Sequence, residues 1–156
     1  APLADGEEPA DAEVPGAAEA PLGLLDSCGC PEGFEPLPGV LEQAQSLAQH
    51  GASIEVVTDP REAVAGAQAV YTDVWASMGQ EAEQAQREQA FAGFCLDQAL
   101  MEQAAADAIV LHCLPAHRGE EISAEVMEGK ASRIFDQAEN RLHAQQALLA
   151  VLMGGL

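Results

Sequence analysis

A chain of 156 residues has the length of one domain, and six basic against 26 acidic residues leave it a net charge of -20. That balance excludes nucleic acid and an anionic membrane as partners, because both require a positive face that displaces counterions. It favours a small ligand, preferably a cationic one.

The first 22 residues, APLADGEEPADAEVPGAAEAPL, combine Pro, Gly, Ala, Asp and Glu without an aromatic residue or a helical or strand period. Such a segment buries too little apolar area to offset its ordering entropy, so a disordered acidic tail is expected over residues 1–22 and a folded domain over residues 23–156. From residue 23 short apolar runs alternate with helix-like segments, the pattern of an α/β protein whose parallel sheet is covered by helices. Strands are expected at residues 23–26, 53–57 (SIEVV), 69–74 (AVYTDV), 108–112 (AIVLH) and 133–135 (RIF).

Between them, residues 38–50 carry Val40, Ala44, Leu47 and Ala48 at helical spacing. Asp59-Pro60 opens a short helix that Gly66 can close. Residues 80–91 and 97–105 read as further helices, and 123–127 as a short one with Ser123 as N-cap. The last helix is expected over residues 139–153, stopping at Gly154-Gly155.

Cys28, Cys30, Cys95 and Cys113 form no dense disulfide framework, so reduced thiols are expected. There is no apolar run of about 18 residues, and the first residues are acidic where a signal peptide is basic and then apolar. The protein is expected to be soluble and cytoplasmic.

In open α/β sheets ligands bind outside the carboxyl ends of the strands. Two loops there carry polar groups: DVWASMGQ at residues 73–80 and HCLPAHRGEE at residues 112–121. Asp73 can hold an ammonium group, Ser77 can donate to a carboxylate, and Gly79 lets backbone amides approach a ligand. Each also has an ordinary reading: Asp73 and Ser77 as loop or capping residues, Cys113 as an inert thiol, and Arg118, Glu120 and Glu121 as a charged turn. His112 and His117 read as solvated or core imidazoles, or with Cys113 as zinc ligands, although their spacing matches no compact ligand pattern.

Taken together, three strings resemble the second half of ornithine carbamoyltransferases: YTDVWASMGQE (residues 71–81), HCLPAHRGEEISAEV (112–126) and FDQAENRLHAQQALL (135–149). CPEGFEP (30–36) is similar to the family's segment after the second strand of that half. The resemblance implies a Rossmann-like three-layer sandwich with a parallel sheet, and an enzyme that makes citrulline and phosphate from carbamoyl phosphate and ornithine. It implies no cofactor and no metal. By that likeness Asp73, Ser77 and Met78 hold the amino acid, Cys113 and Leu114 lie by its side-chain amine and the carbamoyl carbonyl, and Arg141 reaches carbamoyl phosphate. Asp73, Cys113 and Arg141 are the implied catalytic residues.

Family members are homotrimers or larger, with active sites completed by a neighbouring subunit. They also carry a Ser-Thr-Arg-Thr-Arg phosphate loop, an His-Pro-x-Gln segment and a Gly-Asp-x-x-Asn-Asn-like opening strand that supplies an Asn ligand. None of these strings occurs in the 156 residues. FAGFCLDQALM (91–101) departs as well, with Phe94-Cys95 where the family has Tyr-Gln. The sheet is therefore expected to lack the family's first strand, and the carbamoyl phosphate-binding domain is expected to be absent from these 156 residues. Two functions follow: a truncated carbamoyltransferase carrying the amino-acid-binding half, or a non-catalytic remnant that binds ornithine or serves as an interaction module.

Overall fold

The computed structural model describes residues 24–76 and 83–154. The tail expected at residues 1–22, and Ser77, Met78 and Gly79 in the first loop, lie outside the described residues. The chain divides into two compact units, one up to Thr58 and one from Asp59.

In the first unit, strand β1 (Leu25–Gly29) pairs in parallel with β2 (Ser53–Val57), Leu25 opposite Ser53 and Gly29 opposite Val57. β1 begins and ends later than its apolar residues suggest, because its extent is set by the ladder with SIEVV. The crossover is helix α1 (Pro38–Leu47), with Pro38 in the first turn where its fixed φ suits the helix and its missing N–H is no loss. α1 buries Ala44 against Ile54, with Leu41, Ala48 and Ala52 around them. After β1 the chain turns through the CPEGFEP loop. Cys30 N–H donates to the Val57 carbonyl at 3.0 Å, and Gly33, at φ +85°, donates its N–H to the Glu35 carboxylate at 2.9 Å.

In the second unit, β3 (Ala69–Thr72) pairs in parallel with β4 (Ile109–His112), from Ala69 opposite Ile109 to Thr72 opposite His112. Short helices line this pair: α2 (Pro60–Val64), α3 (Gln84–Ala90), α4 (Gln98–Met101) and α5 (Ala124–Met127). α2 starts as expected, with the Asp59 side chain accepting from the Arg61 N–H and Pro60 following. Ser123 caps α5 by accepting from the Val126 N–H. The core of this unit is Val64, Val70, Leu96, Val110, Ile122, Val126, Met127 and Ile134.

One expected strand is a helix start. Residues 133–135 open α6 (Ile134–Leu152), and the chain meets β4 only through Ser132 opposite Val110. The Val110 N–H donates to Ala131 and its carbonyl accepts from Arg133, after which Gln137 N–H closes the first helical bond on the Arg133 carbonyl. A three-residue run such as RIF cannot distinguish a strand from a helix start by periodicity. Ile134 is fully buried while Phe135 faces out.

Parallel strands flanked by helices place the chain in the Rossmann-like α/β class read from the sequence. No helix among the described residues is long and apolar enough to cross a membrane.

Candidate functional site

β3 and β4 are parallel and in register, so the loops at their carboxyl ends begin side by side. Asp73 follows β3, and its Oδ1 accepts from the Val74 N–H at 2.7 Å, a bond that turns the chain out of the ladder. Cys113 follows β4, and its thiol donates to the same Oδ1 at 2.8 Å. Among the described residues, no donor is recorded to Asp73 Oδ2.

The thiol is a donor because it is held protonated. Burial, followed by the hydrogen bond to Asp73 and the charge of its carboxylate, pushes Cys113 up to about 11, against a smaller opposing effect of Tyr71. Tyr71, on β3, acts on the ionisation of Cys113 and is acted on by it in turn, and is itself raised, first by burial. Its hydroxyl accepts from Gln137 Nε2 at 3.2 Å, and Gln137 Oε1 accepts from the His112 N–H at 3.0 Å. One amide on α6 thus ties the ends of both strands. Arg141 lies one helical turn beyond Gln137 on the same helix, exposed, about 6 Å further along the axis.

Leu114 adopts φ +58° and precedes a cis bond to Pro115. A branched side chain rarely takes this left-handed backbone, so surrounding contacts must hold it. They do: the Leu114 N–H donates to His112 Nδ1 at 2.8 Å, and His112 Nε2 faces Glu121 Oε1 at 3.1 Å, both side chains being fully buried. Oε1 also accepts from the His117 N–H at 2.6 Å. Burial raises the Glu121 carboxyl, but hydrogen bonds from His112 and the His117 backbone outweigh it and leave the group below its ordinary value. His112 and Glu121 therefore form the buried brace of the HCLP loop.

This arrangement removes one metal-binding option. Asp73, His112 and Cys113 offer ligand atoms within 4.8 Å of one another, yet both ring nitrogens of His112 are already engaged. Arg118 matches its ordinary reading, pairing with Glu128 at 3.2 Å on the surface. The β3 loop is anchored by Trp75, which stacks on Phe91 at 5.9 Å and accepts at its carbonyl from Arg87 at 3.1 Å.

Of the residues singled out in sequence, Asp73 and Cys113 are in contact, Leu114 adjoins them in a braced turn, and Arg141 lies on the helix that ties both strands. Tyr71, Gln137 and Glu121 were not anticipated as site residues. Gln137 sits four residues before Arg141 in FDQAENR, and α6 begins early enough to put both on one face.

Comparison with known proteins gives a consistent result. Residues 17–152 match the family described as aspartate/ornithine carbamoyltransferase, Asp/Orn binding domain. An ornithine carbamoyltransferase of Parasynechococcus marenigrum (strain WH8102) is 81% identical over 135 residues, covering 86% of this chain and 42% of that protein. One from Gloeobacter violaceus is 53% identical over 154 residues, 98% of this chain and 49% of the relative. The solved structure of ornithine carbamoyltransferase from Pyrococcus furiosus superposes with a TM-score of 0.82 at 47% identity, over 89% of this chain and 45% of that one. The anabolic ornithine carbamoyltransferase of Campylobacter jejuni gives 0.82 at 39% identity, over 90% and 47%. The chain spans about half the length of the curated relatives it matches.

Proposed function

Because the chain belongs to the aspartate/ornithine carbamoyltransferase family, through its Asp/Orn binding domain, we propose that it provides the ornithine-binding half of an ornithine carbamoyltransferase. The reaction joins ornithine and carbamoyl phosphate to give citrulline and phosphate. The observation that carries this reading is the Asp73–Cys113 contact at the ends of two paired parallel strands.

The chemical difficulty is the nucleophile. An alkylamine has a pKa near that of lysine, so selecting its neutral form at pH 7 costs about 4.6 kcal/mol. Asp73 Oδ2 pairs with the α-ammonium, which fixes the amino acid by charge. The side-chain amine then lies against the Cys113 sulfur and the Leu114 backbone, a less polar surface that favours the uncharged form. A thiol pushed up to about 11 does not act as the base; its part is to orient the amine lone pair toward the carbamoyl carbon. Attack of the neutral amine creates a tetrahedral centre, the Arg141 guanidinium stabilises the charge growing on its oxygen, and as the C–O bond to phosphate breaks the leaving phosphate takes the proton that the amine nitrogen gives up. Ser77 and Met78 complete the grip on the amino acid's α-carboxylate end.

The phosphate is held by groups of the family's other half, so the chain's own measurable property is ornithine binding. Calorimetric titration with L-ornithine, with and without carbamoyl phosphate, tests this. Expected is saturable heat from ornithine that D73N weakens by about 10- to 100-fold, the worth of a charge-assisted hydrogen bond. No heat at millimolar ornithine, or equal heat from D73N, would leave the interaction-module reading as the better one.

A further inference from the structure

His117 has no part in the chemistry above, and neither has the second carboxylate oxygen of Glu121. Oε1 of that carboxylate is committed to His112 and to the His117 N–H. Oε2 is buried and meets no hydrogen-bond partner among the described residues. A buried carboxylate oxygen left without a donor is costly, and the usual compensation is a water or a cation. His117 stands nearest this oxygen, with Glu120 beside His117. His117 Nδ1 lies 3.9 Å from Glu121 Oε2 and 3.8 Å from Glu120 Oε2. His117, Glu120 and Glu121 can each offer a ligand atom within 4.8 Å of the other two.

We propose that His117 Nδ1, Glu120 and Glu121 Oε2 form a binding site for one divalent first-row transition-metal ion. Zinc and cobalt(II) suit the donor set, because one imidazole nitrogen with two carboxylates is the borderline mixture such ions take. Magnesium and calcium prefer oxygen ligands alone and fit it less well. Metal–ligand bonds of about 2.1 Å set tetrahedral ligand atoms about 3.4 Å apart, so the two imidazole–carboxylate gaps close by roughly half an ångström on loading and the two carboxylates draw together by about an ångström or less beyond that. His117 and Glu120 can supply that movement, since their side chains are 51% and 38% exposed while Glu121 stays fixed at 0%. The same two side chains give the ion its way in from solvent.

The ion shares a carboxylate with His112, whose ring nitrogen receives the Leu114 N–H. Loading therefore stiffens the turn that carries Cys113 and Leu114 without adding a ligand from it. This proposal does not depend on ornithine binding and is read out separately.

The probe is cobalt(II) chloride, titrated into the full chain in excess magnesium chloride so that diffuse binding to the acidic surface is suppressed. Expected are one equivalent bound, visible d–d bands, and no thiolate-to-cobalt charge-transfer band in the near ultraviolet. H117Q and E120Q, at partly exposed positions, should keep the wild-type circular dichroism and lose at least about tenfold in cobalt affinity. The proposal is overturned by unchanged affinity in both variants, by a thiolate band that C113S abolishes, or by no binding at millimolar cobalt.

Discussion

The Cys113 thiol donates to Asp73 Oδ1 at 2.8 Å, across 40 positions of sequence. A carboxylate oxygen that accepts from both a thiol and its neighbour's amide is fixed in place, and so is the group's orientation. C113S keeps a donor to Asp73, whereas C113A removes it. C113S should therefore hold ornithine affinity closer to wild type than C113A does. Both variants should unfold within about 1.5 kcal/mol of wild type, since one partly exposed hydrogen bond is worth no more than that. Equal ornithine affinity in wild type, C113S and C113A by calorimetry would remove the thiol from the site.

Thiol ionisation gives a second test. Cys113 is pushed up to about 11 from an ordinary 9.0, so the folded state favours the protonated thiol. The sign follows from linkage: this contribution to stability is complete below the unfolded value and is lost as pH rises through about 11. Alkylation requires the thiolate. Iodoacetamide labelling of Cys113, followed by peptide mass spectrometry, should stay slow at pH 8 and accelerate toward about 11. In D73N the acceleration should begin at lower pH, because the carboxylate is one of the groups holding the thiol protonated.

These two groups were legible in sequence because each follows an apolar run that reads as a strand by itself. SIEVV, the Asp59-Pro60 start and the Ser123 cap were legible for the same reason: a local pattern determines them. The supporting groups were not. Gln137 meets Tyr71 across 66 positions and His112 across 25, and no local signal encodes either contact. Glu121 stands beside Arg118 and Glu120 and reads as part of a charged turn. Only the fold shows that its side chain points inward to His112. The run at residues 133–135 failed for a related reason, being too short to carry a period.

The buried brace predicts a large effect from a position outside the substrate groups. Glu121→Ala leaves the His112 ring, which is fully buried, and the part-buried His117 N–H without their shared acceptor. Leaving a buried hydrogen-bonding group without its partner costs about 1–3 kcal/mol. Urea denaturation should show that loss, and ornithine binding should fall with it, because Leu114 depends on His112 for its backbone conformation. A midpoint unchanged from wild type would mean that His112 is braced by some other group.

Tyr71 offers the most direct reading of the network, being the single tyrosine of the chain, so its ionisation can be followed by ultraviolet absorbance. It is raised from 10.0, first by burial, and its neighbours act on it in opposite directions. Gln137 donates to the phenolic oxygen and favours the phenolate, so Q137A should move the titration further up. Cys113 and Asp73 disfavour the phenolate, so C113A and D73N should move it down. Gln137 also accepts from the His112 N–H, and Q137A should cost about 1–3 kcal/mol for the donor left unsatisfied at the end of β4. Shifts of opposite sign in Q137A and C113A would place amide, phenol, thiol and carboxylate in one connected chain. Shifts of the same sign would show that Tyr71 responds to loosening of the fold and that the four groups do not act on one another.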